Sequence, residues 1–428
     1  MKVLVTGAAG FIGRHVVAAL VSAGHEVSRG LRGGSAAAGP ADVLCDFDLD
    51  VQPESWLPRL AGVDAVINCA GILREGRGAR FESVHVAAPH ALFRACEHLG
   101  IPRVIQVSAL GDPADGEFIA SKHRGDALLA STALDWVVLR PSVVYSTQGS
   151  YGGTSLLRAM AVTPFVLALP GDGRQRLQPI DADDLAAMIV ALLAPGATSK
   201  TVIEVVGPEM LTLEDYLRQW RTWLKAPSPQ VVLHVPGWLV GAVAAIGERL
   251  GSGPLGRTMN SMLARGNVGA PGSLARMQSI LGRMPRTLRM ALAERPSFVQ
   301  DRWQARLHLL EPMLRIALVF VWIFSARVGF STPAAEIDAM LRPVGLGPEV
   351  SIPLVRAASA IDLLLGLLLL ARWRPRLVGA LMIASLAGYT AFIGTMLPGA
   401  WLDPFGGLLK NVALLPAVAV MMAMAERR

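Results

Sequence analysis

The chain has 428 residues, 52% of them hydrophobic and 17% charged, with a mean hydropathy of +0.45. That is too long for one ordinary domain of roughly 100–200 residues, and too poor in charge for a wholly soluble one at about 25%. Disorder is excluded, because abundant apolar residues give the chain a core to bury. The 40 Lys+Arg against 33 Asp+Glu leave a net charge of +7. No dense basic run with interleaved aromatics accompanies it, so nucleic acid is a poor partner, and the excess is expected on a membrane-proximal cytoplasmic face.

Met1 to Val5 runs straight into Thr6-Gly7 without a signal-peptide pattern, so the N-terminal part is expected to stay where it is made. Cys45, Cys69 and Cys96 show neither CxxC nor Cys/His ligand spacing, which suggests a reducing cytosol and no metal. Apolar runs at Val3–Val5, Val63–Cys69, Val104–Val107 and Trp136–Leu139 alternate with helical stretches such as Ile12–Ala23 and Ala87–Leu99. Such alternation implies an α/β, doubly wound parallel sheet over residues 1–225. Residues 226–309 are richer in Arg, Met and Gly. They read as a partly helical, membrane-proximal connector, with an amphipathic helix at Val235–Leu250 and an arginine-bearing stretch at Leu288–Leu309.

Residues 310–428 hold four long apolar stretches: Met313–Phe330, Ile352–Ala371, Leu377–Leu397 and about Phe405–Ala425. Each is close to the ~20 helical residues that cross a bilayer, which predicts an all-α four-helix transmembrane bundle. Arg372, Arg374 and Arg376 lie between the second and third stretches, and Arg427 and Arg428 end the chain. The positive-inside rule then puts the N-terminal domain and the C-terminus in the cytoplasm, with the bundle in the inner membrane.

The strongest chemical signal is Thr6-Gly7-Ala8-Ala9-Gly10-Phe11-Ile12-Gly13, between the first strand and the first helix. Gly7 permits the tight turn, Gly10 lets backbone approach a pyrophosphate, and Gly13 lets helix pack on strand. The helix N-terminus offers free N–H groups to the phosphates. The second strand, Glu26 to Arg32, lacks the acid that would bind an NAD ribose, whereas Arg32, or less well Arg29, could pair with a ribose phosphate. NADP(H) is therefore favoured over NAD(H). Asp46-Phe47 follows the next strand, where a carboxylate could reach the adenine.

These pieces resemble the short-chain dehydrogenase/reductase superfamily in its extended and atypical branches. The resemblance rests on the glycine run, Asn68-Cys69-Ala70-Gly71, Ser108-Ala109-Leu110-Gly111, Ser121-Lys122 and Leu139-Arg140-Pro141. Residues Phe81 to Leu110 look most like relatives of the NADPH-binding accessory subunit of respiratory complex I. The resemblance implies cofactor contacts at Ala70 and Gly71, with Ser108 and Lys122 as catalytic or ribose-binding residues. It also implies a Tyr-x-x-x-Lys helix, but the run here is Phe118-Ile119-Ala120-Ser121-Lys122 and offers no phenolic proton. His85 takes the place of a family Asn, and with Tyr145 it is a candidate replacement donor. Gly171-Asp172-Gly173, Gln178-Pro179-Ile180 and Asp183-Asp184 look like the substrate half of extended members, Asp184 most simply capping the helix that follows.

The last part resembles the DoxX-like family, through Leu314-Arg315 leading into Trp322, Ala360 to Gly366, Tyr389, Trp401 to Gly406 and Lys410-Asn411. That family implies links to membrane redox complexes and a quinone-like substrate. Asp362 within a span calls for a partner, expected to be Lys410 or Arg356. Three readings follow: a membrane-anchored NADP(H)-dependent oxidoreductase on a lipophilic substrate, a silent NADPH-binding scaffold or redox sensor, and a sugar-nucleotide epimerase/dehydratase-like enzyme. Phe118 separates them, since catalysis needs another proton donor.

Overall fold

A computed structural model describes residues 1–33, 39, 41–76, 78–229, 231–249, 257–404 and 406–425. Leu250, Phe405, Arg427 and Arg428, used in the helix, motif and topology arguments above, lie outside them. Two compact units emerge, Met1–Arg306 and Leu307–Arg428.

The first unit is built on β1 (Lys2–Thr6), β2 (Glu26–Leu31), β3 (Asp42–Leu44), β4 (Ala65–Asn68), β5 (Arg103–Val107) and β6 (Asp135–Pro141), with Thr201–Val205 at one edge. The spatial order is Thr201–Val205, β6, β5, β4, β1, β2, β3, and every pair is parallel. Every residue of β4 and β5 is buried, as expected of central strands covered on both faces. One face packs under Phe11–Ser22 and Ala182–Ala191, through Val16, Leu20, Leu185 and Ile189. The other packs under Ala88–Leu99, through Leu92, Phe93 and Cys96. From β1 the chain winds to β2 and β3, then returns across β1 to β4. A crevice therefore opens at the C-terminal ends of β1 and β4, where such sheets bind their ligands.

A third core gathers Tyr145, Leu169, Tyr216, Trp220 and Leu263 beneath smaller strands. Residues up to Arg306 belong to this first unit, so its boundary falls well beyond residue 225. Acidic side chains draw the added segment in. Glu204 accepts from Ala270 N at 2.6 Å and Ser273 Oγ at 2.8 Å, and Met277 is fully buried against the main sheet core. Asp184 is buried and bonds Arg283 Nη2 at 2.6 Å and Arg286 N at 2.7 Å. It does not cap the helix Ala182–Ala191; that role falls to Asp181, which accepts from Asp183 N at 2.8 Å. A cap must precede the first turn, and Asp184 already lies within it.

Among the described residues, four helices are long and apolar enough to cross a membrane: Val299–Ser331, Pro348–Leu370, Pro375–Met396 and Gly407–Met424. The second unit's core is Leu318, Trp322, Leu365, Leu369, Met382, Val418 and Met421. Gly366 and Gly379 sit where an added Cβ would meet Ile323 at 2.9 Å and Met422 at 2.3 Å, so small residues set the helix spacing. Asp362 accepts from Ser325 Oγ at 3.1 Å. Neither expected partner reaches it: Lys410 is exposed, and Arg356 donates to the carbonyls of Gly329 and Thr332. Backbone carbonyls near a helix end satisfy Arg356 locally, and a neighbouring hydroxyl serves Asp362 without burying a second charge.

Candidate functional site

The crevice is organised by a buried polar chain across three strand ends. Thr6 Oγ1 donates to Asn68 Oδ1 at 2.5 Å, and Asn68 Nδ2 donates to Gln106 Oε1 at 2.7 Å. Asn68 Oδ1 also accepts from Ala70 N at 3.1 Å, which fixes the turn after β4. Gly7 follows β1 with φ +65°, and a Cβ there would fall 2.8 Å from Ala70 N. A Cβ on Gly13 would fall 2.1 Å from Gly7 O. Only glycine fits at either place.

Gly10 is exposed and precedes the helix Phe11–Ser22, which has no side-chain cap and no acid in its first turn. Its first N–H groups and the positive end of its dipole remain available to an anion. Phe11 and Ile12 are half-buried, Phe11 edge-on to His15 at 5.8 Å and Ile12 against the sheet core.

Arg32, Asp46 and Phe47 lie beyond the ends of β2 and β3. Arg32 is exposed, donates to Gly78 O, and stands 3.6 Å from Asp48. Arg29 is committed to Asp42 through bonds of 2.6 and 2.7 Å. Asp46 Oδ1 accepts from Asp48 N at 3.0 Å, and Phe47 packs edge-on to Trp56 at 5.5 Å.

On the other side stand Ala70, Gly71, Ser108 and the helix Glu117–Ala130. Lys122 Nζ is buried and donates to Ala70 O at 2.9 Å and Val107 O at 3.2 Å. Burial pulls its pKa down to about 8, with Asp126 opposing the shift. Gly71 passes close, since a Cβ there would lie 2.9 Å from Nζ. Ser108 Oγ donates to Asp126 Oδ2 at 2.8 Å, and Arg140 holds the same oxygen at 3.0 Å. Desolvation raises the Asp126 pKa, while Ser108 and Arg140 favour its carboxylate. Sequence reading missed Asp126. Its signal was the spacing Phe118, Lys122, Asp126, which puts all three on one helix face.

The replacement donors fare differently. His85 Nε2 accepts from Ile72 N at 3.1 Å, and Nδ1 meets Ser121 Oγ at 2.8 Å. Because Ser121 donates onward to Glu117 O at 2.7 Å, the proton sits on Nδ1. Burial, reinforced by Lys122, lowers the His85 pKa to about 2, so it is a neutral bolt between loop and helix. A π-helical turn, Glu82–Ala87, carries it, and Gly125 gives that turn room: a Cβ there would lie 2.2 Å from His85 O. Tyr145 is fully buried in the third core, edge-on to Trp220 at 6.1 Å. Phe118 is half-buried, 5.8 Å from His85 and 6.4 Å from Phe81.

Residues 3–205 match the NAD dependent epimerase/dehydratase family, and residues 319–419 match the DoxX-like family. Subunit 9 of the NADH dehydrogenase [ubiquinone] 1 alpha subcomplex from Arabidopsis thaliana is 30% identical over 246 residues, covering 53% of this chain and 60% of that one. Ceramide reductase from Caulobacter vibrioides is 28% identical over 233 residues, covering 52% and 67%. The chain spans about three fifths of the length of its first curated relatives. A nucleoside-diphosphate-sugar epimerase from Staphylococcus aureus superposes with a TM-score of 0.53 at 15% identity, covering 68% of this chain and 99% of that one. A human epimerase family protein solved with NADPH gives 0.50 at 22% identity, covering 69% and 98%. The first half therefore has a Rossmann-type fold and matches the epimerase/dehydratase family model, and the last part, with its membrane-length helices, matches the DoxX-like one.

Proposed function

We propose that this chain, a short-chain dehydrogenase/reductase-type domain joined to a DoxX-like membrane part, is an oxidoreductase that uses NADP(H) on a lipophilic or membrane-delivered substrate. The observation that carries the reading is the glycine cradle, which no side chain can enter, together with a buried lysine at the ends of β4 and β5. When bound, the nicotinamide would supply the hydride. The uncapped helix start would hold the pyrophosphate, and Asp46 and Phe47 would border the adenine end. Arg32 is the proposed partner of a ribose phosphate, exchanging its contact with Asp48 for it.

Lys122 spends two of its protons on backbone carbonyls, leaving one to donate to a ribose hydroxyl. With Phe118 in the tyrosine position and His85 locked, Lys122 is also the group proposed to move a proton. Ser108 gives its proton to Asp126, so its lone pairs are what it can offer a substrate. A reductase of a lipid, by its name, among the relatives supports a lipophilic substrate. Tethering to membrane-length helices would hold the cleft near lipid. The arginines at 372, 374 and 376 support a cytoplasmic cleft at the inner membrane.

Phe118 favours a second reading, an NADPH-binding scaffold or redox sensor for a membrane complex. Relatives named as subunits of NADH dehydrogenase agree with it. A sugar-nucleotide epimerase, suggested by the family matched, would lack its tyrosine. The deciding experiment loads the full chain in lipid nanodiscs with NADPH deuterated at the transferable position and adds an extract of cellular metabolites. Deuterium appearing in one metabolite, only when the protein is present, supports the oxidoreductase. Tight binding with the label retained supports the scaffold.

A further inference from the structure

We infer that the first unit carries its own membrane-penetrating face, formed by a parallel ribbon of Val166–Pro170 and Val231–Val235 and the helix start beside it. The two strands pair Val166 with Val231, Ala168 with Leu233 and Pro170 with Val235. Leu167 and Leu169 point inward and are fully buried, with Val232 packed on the same core. Side chains alternate along a strand, so Val166, Ala168, Val231 and Leu233 face outward. A ribbon with one wet face should be polar there, yet Val166, Ala168, Val231 and Leu233 are all apolar, and His234 is the exposed polar residue among them. Val231 is 54% exposed and Leu233 52%.

The apolar surface continues past both ends of the ribbon. Phe165, at φ +61°, is held in a conformation rare for a residue with a side chain, and the residue is 64% exposed. Trp238, in the first turn of the helix Gly237–Arg249, is 75% exposed. From Lys225 to Gly247 the sequence has no acid, and Lys225 is its one charged residue. That stretch therefore brings no acid for an anionic lipid surface to repel.

Two things commit the face to a bilayer. The same core that underlies the ribbon also buries Leu292 and Ala305, and between them Phe298 and Trp303 emerge exposed. Ala305 already belongs to the helix Val299–Ser331, which is long and apolar enough to span. Along the chain, Ala305 precedes the apolar stretch Met313–Phe330 by fewer residues than one bilayer crossing takes. Exposed tryptophans flanking an apolar face are the side chains that settle at the headgroup level.

The test places a spin label at Leu233→Cys, Trp238→Cys or Leu49→Cys in the full chain, with Cys45, Cys69 and Cys96 replaced by alanine. All three labelled positions are exposed, so the labels themselves stay out of the cores, and the unlabelled cysteine-free chain is the reference for folding. Collisions with oxygen, which partitions into lipid, and with a water-soluble nickel chelate are compared in nanodiscs containing phosphatidylglycerol. The face predicts loss of nickel collisions with gain of oxygen collisions at 233 and 238, and neither change at 49. Equal nickel access at all three positions would overturn it. So would dipolar broadening between labels at 238, which would mark a second copy as the occupant. Neither result depends on whether hydride is transferred.

Discussion

Replacing Lys122 by methionine separates the cost of a buried charge from the value of its contacts. Lys122 makes two hydrogen bonds to backbone carbonyls, at 2.9 and 3.2 Å, worth together about 2 kcal/mol. Against this, its pKa falls from 10.5 in the unfolded chain to about 8 in the fold. The unfolded chain holds the proton more tightly, so stability rises with pH between those values. Below both, at pH 7, the penalty is about 3 kcal/mol; at pH 10 it is under about 1 kcal/mol. Lys122→Met should therefore be level with or slightly more stable than the parent at pH 7, and less stable at pH 10. The change in their difference is about 2–3 kcal/mol, or ~5 °C in melting temperature for a unit this size. Thermal unfolding of both proteins in detergent at the two pH values, followed by tryptophan fluorescence, measures it. Subtracting one protein from the other removes every other titrating group. A difference that stays constant with pH would refute the argument, because Lys122 would then keep an ordinary pKa. The same variant should lose NADPH affinity at pH 7 even where its stability is undiminished.

Three further outcomes can be checked. Gly13→Ala would force a Cβ to 2.1 Å from Gly7 O, and its neighbours there are all backbone. It should cost about 1–3 kcal/mol in stability and abolish dinucleotide binding by calorimetry. Arg32→Ala should weaken NADPH about tenfold or more while sparing NADH, and equal affinities before and after would leave Arg32 with Asp48 and Gly78 alone. In the membrane part, Lys410→Met should leave detergent stability within about 0.5 kcal/mol, since Lys410 is exposed and Asp362 bonds Ser325 instead. Asp362→Asn combined with Lys410→Met should then show additive effects; an interaction energy between them would restore the ion pair.

The alternation of buried strands with amphipathic helices, the glycine loop and the four apolar stretches are written locally, by period and spacing, so the sequence alone determined the two architectures. The missing tyrosine was equally plain, because Phe118 stands at a fixed distance from Lys122 on one helix. Tertiary structure decided what depends on neighbours distant in the chain. It decided that His85 is neutral and bolted, because Ile72 and Ser121 come to its two nitrogens from different elements. It decided that Asp126 governs Ser108, since these residues meet only when β5 and the helix Glu117–Ala130 pack together. It gave Asp362 to Ser325, 37 residues earlier in the chain, because only packed helices reveal which side chains share a level. Hydrophobic period fixes which face of an element is buried; which polar groups meet beneath it is settled only when the elements are assembled.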